Sequence, residues 1–213
     1  APGTSSWNSI GGRLDNAVQN FLSAADSAAK FGASGYLITD WGDNGHHQSL
    51  PVSYAPIVFG GSQAWNHDIS NADQLTEILN RFVFHDESGI TGRLWVEIGQ
   101  TPGKLKKSPF NSSPLNKLLF SDGTSLDDIL EGIGLEELSN TCSRLLRLEV
   151  EIPSARPTCK DGEKVLAELR LTLAMLLHAT RRGIAHLSGS TVDFTQRRRE
   201  MILLIHQYEE CWL

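Results

Sequence analysis

The sequence predicts a short α/β portion at the amino end followed by a long, almost wholly helical region. Two observations carry this expectation. A helical pattern that stops at a glycine is followed by a four-residue apolar run, and from about residue 53 onward apolar residues recur at helical spacing with little strand signal. Composition sets the outer bounds: 213 residues, 40% hydrophobic and 21% charged, with a formal net charge of −6, describe a chain able to bury a core. The length fits one large domain or two smaller ones.

The first helix is predicted over residues 12–32, where Leu14, Val18, Phe21, Leu22, Ala25 and Ala29 fall at helical spacing and Gly32 suits the position just past a helix end. After Gly35, the run Tyr36, Leu37, Ile38 and Thr39 reads as one buried strand bounded by glycine and a polar cluster. Upstream, residues 4–8 read as the carboxyl end of an earlier strand. Strand end, helix and strand make half of a βαβ repeat, too little to close a sheet, so the remaining strands are expected from elsewhere.

Further helices are predicted over 54–65, with Pro56 weakening the first turn, and after Ser70, which pairs with Asp73 as a weak capping box ahead of Leu75, Ile78, Leu79, Phe82 and Val83. A stretch over 101–114 rich in Pro, Gly, Ser and Lys reads as a surface loop and a possible internal boundary. Helical patterns then cover 126–133, 135–150, 162–187 and 192 to the end, as in a bundle, broken by Pro153 and Pro157. The expected division is residues 1–66, holding the α/β units and the functional loop, against a helical region over 67–213.

Several function classes are disfavoured. Nineteen Lys and Arg against 25 Asp and Glu supply no basic field for a phosphate backbone, so nucleic acid is not an expected partner. The run Arg197, Arg198, Arg199 lies in a helical pattern and reads as a solvated face. No apolar run approaches the roughly 18 residues of a membrane helix, and no membrane partner is expected. Cys142, Cys159 and Cys211 are odd in number and widely spaced, suiting neither a disulfide scaffold nor a zinc site. The chain begins at Ala1 without Met and ends inside an apolar helical pattern, so it is read as part of a longer protein; the compartment stays open.

The densest functional cluster spans residues 39–48, immediately after the predicted strand. It holds Asp40, Trp41, Asp43, Asn44, His46 and His47, poor material for a core because each buried polar group requires a partner. Gly42 and Gly45 let the backbone turn, Trp41 offers a flat face for a sugar ring, and Asp43 can accept hydrogen bonds from hydroxyls. The competing explanation is a capped loop in which Asp40 and Asp43 satisfy backbone N–H groups. Asp40, Asp43, His46 and His47 could also ligate a divalent ion, but their spacing matches no metal motif, and neither metal nor cofactor is expected.

Residues 2–9 (Pro-Gly-Thr-Ser-Ser-Trp-Asn-Ser), the helix opening at 12–17 and residues 35–46 together resemble bacterial-type family 20 glycoside hydrolases, the β-N-acetylhexosaminidases. The resemblance covers about the first 65 residues. It implies the last βα units of a (β/α)8 TIM-type barrel, followed by the helical region, and removal of terminal N-acetylhexosamine from glycans by a retaining, substrate-assisted mechanism. The partner implied is a carbohydrate with a terminal N-acetylhexosamine, together with the remainder of the parent chain; an extracellular or periplasmic location fits.

In that family a Trp-x-Glu motif walls and anchors the sugar, and Trp41-Gly42-Asp43 matches it with Asp for Glu. The carboxylate is one methylene shorter, leaving direct or water-mediated contact open. Trp7 resembles a second aromatic lining residue, and Asp40, Asn44 and His46 complete the expected substrate-binding set. The family's Asp-Glu acid pair has no counterpart in a matching segment; Asp86-Glu87 follows a helix in a polar turn, and no catalytic residue is assigned. The alternative is a non-catalytic carbohydrate-binding or helical interaction module. Trp65, Trp95, Trp212 and His178 are read as packing residues, and Arg13 as either a ligand contact or a solvated helix residue.

Overall fold

The computed structural model describes residues 1–66, 72–107, 109–189 and 194–212. The molecule is an all-helical fold, 69% helix, and no sheet forms among the described residues. This corrects the expectation of an α/β portion and of the end of a (β/α)8 TIM-type barrel. One isolated parallel bridge, Gly3 with Thr39, is what remains of the expected strand pair. It is closed by Thr4 N–H to Thr39 O at 2.9 Å and Thr39 N–H to Pro2 O at 3.0 Å.

The physical reason lies in where the apolar run spends its side chains. Tyr36 stacks on Phe21 at 6.4 Å between centroids and donates its hydroxyl to Gly60 O at 2.6 Å, while Leu37 is 69% exposed. The run packs on the pair of helices beside it instead of pairing with neighbouring strands, without which a parallel strand cannot persist.

Helix α1, Leu14–Phe31, turns Leu14, Ala17, Phe21 and Ala25 inward, the spacing of a single buried face. Gly32 ends it in the left-handed region at φ 64°, ψ 34°, a conformation glycine adopts without Cβ strain. Helix α2, Tyr54–Trp65, packs against α1, with Phe59 meeting Phe21 at 6.5 Å. Pro56 sits in its first turn, where a missing N–H costs little.

The proposed Ser70 cap lies outside the described residues. Helix α3, Leu75–Ile78, continues as a π-helical stretch, Leu79–Phe84, before α4, Ile90–Gly99. The 101–114 segment is no free surface loop: Thr101, Pro102, Leu105, Ser112 and Ser113 are buried, although Phe110 projects outward.

Helices α5 (Pro114–Phe120), α6 (Leu126–Leu130) and α7 (Leu135–Glu151) lead to α8, Gly162–Leu187, and α9, Phe194–Trp212. Between Leu171 and Thr180 α8 is buried nearly all round, with α5, α7 and α9 packed against it, the pattern of a central helix. A contiguous apolar core runs from Ile10 and Phe21 through Leu94 and Ile98 to Leu145, Leu169 and Leu204. No helix among the described residues is long and apolar enough to cross a membrane.

Candidate functional site

The amino-terminal turn and the 39–48 loop meet at one carboxylate. Asp40 Oδ1 accepts hydrogen bonds from the hydroxyls of Thr4, of Ser6 at 2.6 Å and of Ser53 at 3.0 Å. Thr4, Ser6 and Ser53 are all buried, so these hydroxyls depend on Asp40 for an acceptor. The competing explanation from sequence, in which Asp40 caps backbone N–H groups, is replaced by three side-chain donors. Asp40 thus acts as the fastener of the site, holding the segment before Trp7 against the segment before Trp41.

Trp41 follows Asp40 directly and is 53% exposed, with its backbone carbonyl held by Gln48 Nε2 at 3.3 Å. Asp43, Asn44 and Gly45 form a short 3-10 turn, with Asn44 in the left-handed region at φ 58°. The Asp43 side chain is exposed and takes no hydrogen bond from the described residues. Asn44 Nδ2 donates to Asn8 Oδ1 at 2.9 Å, so the loop is tied down at both ends. An exposed indole and an unengaged carboxylate on a doubly anchored turn form a preorganised polar and aromatic surface. His46 meets the edge of Trp212 of α9 at 6.2 Å, and His47 lies on Phe120 at 4.4 Å.

Trp7 is half-buried over Gly3, where a Cβ would stand 2.7 Å from the indole ring, so only glycine admits the ring there. The Arg13 guanidinium lies 5.0 Å from the ring centroid. Arg13 is buried, donates Nε–H to Ser5 O at 3.2 Å, and is pushed below its ordinary pKa by that burial. It is therefore not a solvated residue; it holds the Ser5–Trp7 turn. Ser5, at φ 57°, is completed by Asn16 Nδ2 at 2.7 Å.

The hydroxyls of Thr4, Ser6 and Ser53, and the bridging role of Asn8, were missed by sequence reasoning. The only signal was the polar run over 4–6.

Other readings resolve individually. Trp95 is 3% exposed and packs in the core, but Trp65 is 93% exposed, against the packing role expected for it. His178 is buried and meets Glu200 at 3.3 Å, a satisfied structural histidine. Asp86 lies far from chemical usefulness as an acid. Burial raises its pKa, but bonds from Ser88, Thr91 and the Arg156 N–H outweigh that and hold it at about 2. At neutral pH it is an anion with both oxygens engaged. Among the described residues no group of three or more His, Cys, Asp or Glu side chains could hold a metal ion. No family model, no curated protein and no solved structure matches the chain.

Proposed function

We propose that the chain recognises carbohydrate through the Trp41–Asn44 turn, as the sugar-pocket part of a glycoside hydrolase that removes terminal N-acetylhexosamine by a retaining, substrate-assisted route. One observation carries the proposal. The two stretches that resemble the β-N-acetylhexosaminidases, 2–9 and 35–46, come together in parallel at Gly3 and Thr39 and are fastened by Asp40, so that Trp7 and Trp41 leave the same hydroxyl cluster.

In this reading Trp41 stacks on the apolar face of the terminal pyranose, and Asp43 accepts its outer hydroxyls, directly or through water. Asn44 and His46 border the sugar, Trp7 forms a wall, and Asp40 positions the turn. The reaction class requires a carboxylate to orient the substrate's acetamido group and an acid to protonate the leaving oxygen. Neither role is assigned to a residue of this chain.

A second reading, a non-catalytic carbohydrate-binding module, is favoured by one fact: the Asp86-Glu87 pair lies in a different cleft, beside Arg81 and His85, with Asp86 held ionised. Calorimetric titration with N-acetylglucosamine and N-acetylgalactosamine tests the binding common to both. Trp41→Ala and Asp43→Ala should each weaken sugar binding about tenfold. Affinity unchanged by both substitutions would remove the turn as the site. Release of nitrophenol from aryl N-acetyl-β-hexosaminides by the protein then separates enzyme from module.

A further inference from the structure

Beyond the Trp41 turn, a cleft of about 790 Å³ runs from Asn8 and Asn44 to the segment carrying Phe110, Asn116 and Phe120. That volume lies within the range of small-ligand sites, about 300–1,000 Å³. Its far wall belongs to α5 and the stretch before it, outside the residues that carry the family resemblance. We infer that this cleft is a second carbohydrate region, holding further units of a neutral N-acetylated glycan whose terminal sugar sits at Trp41 and Asp43. The inference rests on the sugar-binding reading of the turn and deepens it.

Three features support that occupant. Asn116 is 9% exposed, and its side-chain carbonyl oxygen is buried without a hydrogen-bond partner among the described residues. Its backbone N–H is capped by Ser113 Oγ at 3.1 Å, so the residue is held in place while its acceptor waits for a donor. A buried unmet carbonyl is unfavourable, and a ligand O–H or acetamido N–H would satisfy it.

Four amides share the lining, and three of them, Asn8, Asn44 and Asn111, hold left-handed backbone at φ 50°, 58° and 52°. Such strain gathers where a binding surface is preorganised. Asn8 is spent on tying Asn44 and Asn111 O together, which leaves Asn44 Oδ1 and the Asn111 amide facing hydroxyls. Aromatic faces complete the pattern: Phe110, 94% exposed, is a platform suited to the C–H face of a pyranose, and Phe120, 52% exposed with His47 against its ring, lines the wall beside it.

Charge argues for a neutral ligand. Lys107 is paired with Glu131 at 2.5 Å, and Lys117 shares the cleft with Asp128, leaving no excess positive field for a polyanion.

The test is calorimetric titration of the whole chain with N-acetylglucosamine and its β-linked oligomers of two to five units. Affinity should rise about tenfold from the monosaccharide to the longer oligomers. Phe110→Ala and Asn116→Leu should each abolish most of that gain and leave monosaccharide affinity unchanged, whereas Trp41→Ala weakens every length. Phe110→Ala removes an exposed side chain, so an unchanged circular dichroism melt is its internal control.

Monosaccharide binding with no gain over length, or a gain insensitive to both variants, overturns the cleft while leaving the turn intact. Failure of every saccharide to bind overturns both.

Discussion

Replacing Asp86 by Asn should cost about 3 kcal/mol of stability near pH 6, and most of that cost should vanish in acid. The magnitude follows from its surroundings. The carboxylate is 3% exposed and accepts from Ser88 N–H at 2.8 Å, Ser88 Oγ at 2.5 Å, Thr91 N–H at 2.9 Å, Thr91 Oγ1 at 2.5 Å and Arg156 N–H at 3.3 Å. Burial alone would raise its pKa, yet the bonds bring it from 3.8 down to about 2. A depression of this kind stabilises the fold above the unfolded-state pKa and is lost as pH falls through the folded-state value. At about 1.4 kcal/mol per unit, the charge is worth roughly 2.4 kcal/mol above pH 5, most of it lost by pH 2. Asn adds a donor facing donors, an extra cost of about 1 kcal/mol.

The residue matters because it joins the turn after the π-helical stretch to the segment between α7 and α8, where Thr158 and Cys159 N–H also reach Phe84 O. Urea unfolding of wild type and D86N at pH 6, 4 and 2 reads the effect as a midpoint shift of about 1.5 M at pH 6 that shrinks toward pH 2. Taking the difference between the two proteins cancels the other carboxylates. A penalty below about 0.5 kcal/mol, or one constant with pH, would refute the assignment of stability to this charge.

Asp40→Ala should destabilise the chain by about 2 kcal/mol, because three buried hydroxyls lose their acceptor and only the Thr4–Ser6 contact at 2.9 Å remains to console two of them; thermal melts measure this, and sugar affinity should fall in parallel. Trp41→Ala and Asp43→Ala, both at exposed positions, should leave the melting temperature within about 2 °C of wild type while reducing sugar affinity, and unfolding in either variant would make the turn structural. Phe21→Ala removes a fully buried ring shared with Tyr36 and Phe59 and should cost about 4 kcal/mol in urea unfolding; a cost below about 1.5 kcal/mol would mean that α1 and α2 are not cemented there.

Helices were legible wherever periodicity and a terminator coincided. The pattern over 12–32 became α1 with Gly32 at its end, and those over 135–150 and 162–187 became α7 and α8 within a residue. The apolar run at Tyr36–Thr39 misled because four apolar residues state only that something covers them, and cover came from Phe21 and Gly60 rather than from a strand.

The turn at Trp41–Asn44 was legible as an exposed polar and aromatic cluster because such residues crowd one loop. Its fastening was not legible, since Ser53 and Thr4 lie 13 and 36 positions from Asp40. The cleft was further out of reach. Asn8 carries no local signal, yet its side chain holds Asn44 while its backbone oxygen takes Ser113 N–H and Ser112 Oγ, each at 3.1 Å. One asparagine therefore sets the spacing between the Trp41 turn and the wall that carries Asn116. That spacing comes from tertiary closure of segments a hundred residues apart, and local pattern says nothing about such closure. A ligand that bridges the turn and the cleft would thus feel Asn8 without touching Trp41, and the length dependence of binding is where that coupling becomes visible.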